Sequence, residues 1–163
     1  MKIHDITMEI HQNMIVYPGN PKPKIKKTST IPPNSVNESK IIIGSHSGTH
    51  VDSPLHIKKN GASAIKLPLE SFYGKCKVID LTHVEREIHA DDLKASPIEA
   101  DDIVLLKTKN SLEGYKKFNK KFIHIKIDAA NYLVSKKVKT LGVDYLSVKK
   151  FGGDDEVHEK TIM

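Results

Sequence analysis

FIHIKIDAANYLVSKKVKTLGVD, residues 122–144, is the stretch whose reading decides the fold. FIHIKI (122–127) is strand-like. Asp128 can then N-cap a helix through AANYLVSKK, whose lysines fall in the last turn, where the helix dipole favours them. KTLGVD follows as another strand. A strand–helix–strand unit of about twenty residues suits a parallel crossover, and such crossovers are right-handed almost without exception.

Working outward, IVLLKT (103–108) and KVIDL (77–81) read as two more strands, with Ala90-Asp91-Asp92-Leu93 as a short helix or turn between them. The first half is denser in strands. Residues 39–44 read as a buried strand, KIKKTSTI (24–31) as an edge strand, and MKIHDITMEI at the start as a strand rather than a secretory leader, since it has no apolar h-region. YPGNPKP and Pro32-Pro33-Asn34 mark loops. There is no internal repeat or linker, and a chain of 163 residues buries roughly 68–70% of its unfolded surface without staples. The expectation is an α/β single domain with a mixed sheet.

One segment stands apart chemically. In IIIGSHSGTHVDSPLH (41–56), His46, His50, Asp52 and His56 are spaced by four, two and four. All four numbers are even, so an extended chain would aim these side chains to one side. Gly48 and Pro54 argue against an unbroken strand, and Ser47-Gly48-Thr49 against a helix that Pro54 would end. The expected shape is a strand opening into an extended, irregular turn. Two His and one Asp make a three-ligand set for a divalent first-row metal with positions left for water, whose pKa such an ion lowers from 15.7 towards ~7. Asp52 has two oxygens and could bridge two ions. His56 is then spare for acid/base work, and Thr49 and Ser53 could orient ligands. The bland alternative is a polar loop with unrelated hydrogen bonds. Three His and an Asp within eleven residues, from nine His in the chain, weigh against it.

SHSGTHVDSPLH resembles the signature H-x-G-T-H-x-D-x-P-x-H of the cyclase-like metal-dependent hydrolases, which include the bacterial kynurenine formamidases (arylformamidases) and isatin hydrolases. His46, Gly48, Thr49, His50, Asp52, Pro54 and His56 all match. YPGNP (17–21) resembles the family's Y-P-G-D-P, with Asn20 where Asp is usual. DDIVLLKT (101–108) resembles its G-D-I-V-L-L-x-T strand, and KTLGVDYLSV (139–148) its G-x-D-x-x-S segment, followed by a downstream His, here His158. The resemblance implies a swivelling β/β/α domain, assembled as a homodimer or homotetramer, that hydrolyses formamides or strained cyclic amides with zinc or manganese. It implies that His46, His50 and Asp52 hold a first ion, that Asp52 is shared with a second, that His158 joins the second, and that His56 is the catalytic acid or base.

The family pattern continues past the downstream His to a Glu in a segment resembling I-I-E-G-L. Here His158 is followed by Glu159-Lys160-Thr161-Ile162-Met163, and neither Glu156 nor Glu159 stands in the matching position. The expectation is a domain over residues 1–163 without the family's C-terminal segment. Either the sequence is a piece of a longer chain, or its second ion site is incomplete, or Glu156 or Glu159 substitutes.

Elsewhere, Asp154 and Asp155 read as solvated turn residues, and Asp144 either faces a site or caps structure. His4, His11, His83, His89 and His124 belong to no constellation and read as structural. Tyr17, beside the Pro-Gly turn, could line a pocket or simply pack. Cys76 reads as a small hydrophobe in or near the core. A lone thiol forms no internal disulfide, and cytoplasmic residence follows as the default.

Composition narrows the function classes. The net charge is +6, but the lysines are scattered as pairs, Arg86 is the only arginine and tryptophan is absent. That combination argues against base reading or stacking on nucleic acid. Apolar runs such as IVLL are too short to cross a bilayer. The leading reading is a metal-dependent hydrolase of a small-molecule formamide or cyclic amide, partnered by neither nucleic acid nor membrane. The competing one is a metal-binding structural homologue with impaired catalysis.

Overall fold

A computed structural model describes residues 3–162. The chain forms two compact units, one comprising Met1–Val51 with Tyr115–Phe118, the other Asp52–Gly114 with Asn119–Met163.

In the first unit, β1 (Lys24–Ser29) and β2 (Glu38–Ile42) pair antiparallel, with a register shift between Lys27 and Ser29. The expected edge strand is therefore present, but the buried one is not. Every residue of β2 is exposed, and Ile41 is 59% accessible. A run of β-branched residues suits either a covered or a bare strand, and this ladder has only two strands. The strand expected at the N-terminus is also absent from residue 3 onward, Met1 and Lys2 lying outside the described residues. That segment is held by Thr49, whose Oγ1 accepts from Met8 N at 2.8 Å and donates to Ile6 O at 3.4 Å.

The second unit carries the α/β architecture. Three parallel strands, β3 (Cys76–Asp80), β5 (Ile103–Lys107) and β7 (Thr140–Val143), lie in the order β3-β5-β7. A second parallel pair joins β4 (Glu87–Ile88) to β6 (His124–Ile125). The α/β class holds, but among the described residues each sheet is purely parallel or purely antiparallel, so the expected mixed sheet is replaced by separate ones. β5 is central, which explains its continuous apolar run. In the register, Leu105 faces Gly142, and a Cβ there would strike the Leu105 side chain. Cys76 opens the edge strand and is exposed, not in the core as expected.

The helices are α1 (Ala90–Lys94), α2 (Lys109–Leu112), α3 (Ile127–Ser135) and α4 (Glu156–Thr161). The opening stretch does not fold entirely as its pattern suggests. Its first strand shrinks to β6 and pairs with β4, while β7 pairs with β5, so the two strands flanking α3 do not form one crossover in one sheet. Lys126, not Asp128, is the N-cap of α3. Asp128 sits in the first turn, and its Oδ2 accepts from Ala90 N at 3.0 Å at the start of α1. A tertiary partner has claimed the carboxylate that local pattern assigns to a cap.

The core of this unit is built from Leu81, Ile88, Leu93, Val104, Leu106 and Ile125, with Ala129, Ala130 and Leu133 from α3 and Val157 from α4. Burying each large aliphatic side chain contributes roughly 1.5–3 kcal/mol. Val157, one residue before His158, is the residue through which α4 enters this core.

Candidate metal centre

The histidine segment leaves β2 as irregular chain. Gly48 adopts φ +65°, a conformation glycine reaches without strain. Its missing side chain also leaves room for neighbours, since a Cβ would come within 3.2 Å of Ile10 Cγ1. This turn folds His50 back so that its Nδ1 donates to Gly48 O at 2.8 Å. A carbonyl only accepts, so the proton of the neutral ring lies on Nδ1 and the lone pair on Nε2. That Nε2 lies 3.2 Å from Nδ1 of His46. Two nitrogens sharing a tetrahedral ion at 2.0–2.1 Å sit ~3.3 Å apart. Further along the same continuous run, Asp52 has its Oδ1 shielded from solvent, and one donor atom from each of His46, His50 and Asp52 lies within 4.8 Å of the others. Spacing, donor types and shielding together fit a divalent ion.

In the second unit, Asp52 leads into a 3-10 turn, Pro54–His56. The sequence reading has no helix here, since Pro54 would break one; Pro54 instead stands at the start of this short turn, where it costs no hydrogen bond. Backbone bonds lock the turn: His56 N to Ser53 O at 2.8 Å, Lys58 N to Pro54 O at 2.9 Å and Leu55 N to Ala62 O at 3.0 Å. Gly61 permits the last of these, because a Cβ there would lie 2.5 Å from Pro54 O. The His56 ring meets His158 edge to face, centroids 5.8 Å apart. His158 sits on α4, with its side chain only 12% exposed. Burial pushes its pKa down, as do the charges of Lys149 and His56, while Asp52 and Asp155 oppose them. A neutral imidazole is the form that ligates metal. Thus His46, His50 and Asp52 come together along one run, and His56 and His158 come together in the second unit, where His158 also feels Asp52.

Several further residues have defined partners. Thr49 anchors the N-terminal segment, as described above. Asp144 caps: its carboxylate accepts from Thr108 N at 2.6 Å, Thr108 Oγ1 at 2.8 Å and Ser111 N at 3.3 Å, tying the end of β7 to the start of α2. Tyr17 packs edge-on against Phe118. His89 and His124 do have a constellation. Glu87 lies 3.8 Å from His89 Nε2 and 3.5 Å from His124 Nε2, and Asp128 Oδ2 lies 3.3 Å from His89 Nδ1. Glu87 and His124 are direct partners across β4 and β6, a pairing no sequence spacing announces. Asp155, read as solvated, is paired with Lys149. No helix among the described residues is long and apolar enough to cross a membrane.

The Cyclase family's sequence profile matches residues 4–150. A kynurenine formamidase of Erythrobacter litoralis is 30% identical over 148 residues, covering 90% of this chain and 67% of that protein. Among solved structures, a protein described as a potential metal-dependent hydrolase with cyclase activity superposes with a TM-score of 0.83 at 38% identity, over 98% of this chain and 75% of its own. Isatin hydrolase A from Labrenzia aggregata shares the fold, with a TM-score of 0.81 at 20% identity over 99% of this chain and 74% of its own.

Proposed function

This chain belongs to the Cyclase family, and from that premise we propose that it is a metal-dependent amidohydrolase that opens the C–N bond of a formamide or a cyclic amide. The observation that carries the reading is the pair of imidazole nitrogens 3.2 Å apart beside Asp52, within an unbroken family signature. The formamidase relative supports the substrate class.

In this reading His46, His50 and Asp52 would hold a first divalent ion, zinc or manganese, and Asp52 and His158 would contribute to a second. An ion bound there supplies Lewis acidity to the amide carbonyl and brings the pKa of a water towards neutrality. The Gly48 carbonyl keeps the proton of His50 on Nδ1, so its Nε2 lone pair is ready without rearrangement. His56, on its locked turn, moves the proton: its imidazole takes one from the attacking water and delivers it to the departing amide nitrogen. Water oxygen adds to the carbonyl carbon, the C–N bond breaks, and the products are a carboxylic acid and an amine. By the same family reading the enzyme assembles as a homodimer or homotetramer, which light scattering on the purified protein checks; cytoplasmic residence rests only on the default set by a lone thiol.

The test is metal analysis of the purified protein alongside hydrolysis of a simple N-aryl formamide and a strained cyclic amide. Near-stoichiometric zinc or manganese is expected, with metal and activity both lost in His50→Ala. Absence of both metals, with His50→Ala changing nothing, sinks the proposal.

A further inference from the structure

α4 begins at an aspartate that does not cap it. Asp155 occupies the N-cap position, where an Asp side chain ordinarily accepts from the first turn's amides, yet its carboxylate makes no capping bond. It turns instead to Lys149, with which it is ion-paired, and to His158, whose Nδ1 lies 3.8 Å from Asp155 Oδ1. The loop between them is shaped for this. Gly152 takes φ +71°, Gly153 N bonds Lys150 O at 3.0 Å, and Lys149 Nζ donates to Gly153 O at 2.8 Å. The Lys149 side chain is only 16% exposed, so its ammonium is largely withdrawn from water and satisfied by these two partners.

The geometry points to Asp155, held in place by Lys149, as a positioning residue that keeps the proton of His158 on Nδ1 and leaves the Nε2 lone pair available as a ligand. At 3.8 Å the contact is longer than a hydrogen bond, so the coupling is electrostatic: an N–H dipole facing a carboxylate is favoured, and a lone pair facing it is not. Metal-ligating histidines are oriented in this way by a carboxylate behind the ring. Without Asp155, the Lys149 ammonium with which it was paired is left on that side, and an ammonium prefers to face a lone pair. The tautomer should then invert. A purely structural part for the Lys149–Asp155 pair, closing the loop before α4, would leave the tautomer alone.

The inference rests on the proposed metal role of His158, but its test does not depend on catalysis. Long-range 1H–15N correlation spectra of metal-free, 15N-histidine-labelled protein, recorded at a pH where the rings are neutral, report the tautomer of each histidine; His158→Gln assigns the signal. Expected are an Nδ1–H tautomer for His158 in the wild type, an Nε2–H tautomer in Asp155→Ala and a return towards wild type in Asp155→Glu. Zinc affinity, measured by competition with a chromophoric chelator, should fall roughly 10–100-fold in Asp155→Ala and recover in Asp155→Glu. An Nε2–H tautomer in the wild type overturns the inference with no variant needed. A tautomer unmoved by Asp155→Ala, or by the isosteric Asp155→Asn should the alanine variant not fold, also overturns it. Failure of the amidohydrolase reading is separate and visible: a wild type with the expected tautomer that hydrolyses neither amide probe.

Discussion

Gly61→Ala isolates the link between backbone packing and the position of His56. A Cβ on Gly61 would stand 2.5 Å from Pro54 O and 2.6 Å from Leu55 N, roughly 1 Å short of the ~3.5 Å at which non-bonded atoms rest. All the atoms it meets are backbone, and Leu55 N is itself bonded to Ala62 O, so no side-chain rotation relieves the clash. The Pro54–His56 turn must move by about 1 Å or the Leu55–Ala62 bond must break. Overpacking of this kind costs about 1–3 kcal/mol, which for a chain of this size lowers Tm by roughly 2–12 °C at 2–4 °C per kcal/mol. A displacement near 1 Å at an acid/base group costs up to ~100-fold in rate. Differential scanning calorimetry and kcat on the N-aryl formamide measure the two together, with metal content expected to stay at the wild-type level because His46 and His50 lie on a different turn. A Tm within 1 °C of wild type together with unchanged kcat would refute the claim that this backbone contact sets the turn.

Three further outcomes are expected. His56→Ala should retain metal and lose hydrolysis by ~100-fold or more; loss of metal as well, on elemental analysis, would show that His56 is a ligand instead. Asp144→Ala deletes three acceptor contacts at the start of α2 and should cost about 1–3 kcal/mol in urea unfolding; a cost under ~0.5 kcal/mol would mean that the cap contributes nothing. Stability should also fall with acid in two steps. Burial holds the His124 imidazole below its ordinary value, so below pH ~6.5 the unfolded chain takes up a proton that the folded chain resists, and stability declines from there. Asp80 is held at about 2 by the hydroxyl and amide of Thr82 and by Lys107, so its contribution is complete above pH ~3.8 and disappears as the pH falls towards 2. Denaturant midpoints at pH 7.5 and 5.5 should draw together in His124→Gln; a gap equal to that of wild type would count against the first step.

The candidate site was legible because its chemistry is local. His46, Gly48, His50, Asp52 and His56 lie within eleven residues; the bend at Gly48 needs only its positive φ, and the turn that carries His56 only the backbone bonds around Pro54. The strands KVIDL, IVLLKT and KTLGVD were legible for a related reason, as short apolar runs too compact for anything but strands of a covered sheet. Misreadings arose where the deciding partner lies far along the chain. Asp128 looks like a cap until Ala90 N claims it, and the isoleucines of β2 look buried although nothing in their two-stranded ladder covers them.

By itself, then, the sequence determined the α/β class, the signature segment and the chemistry its donors can perform, because periodicity and close spacing are properties of neighbouring residues. Only the tertiary structure decided which strand pairs with which, that Glu87 meets His124 across β4 and β6, that His158 on α4 comes against His56, and that Asp155 turns from its helix to Lys149. These are encounters between residues up to a hundred positions apart. They follow from the burial of a shared core and the pairing of charges that burial brings together, and no local pattern records either.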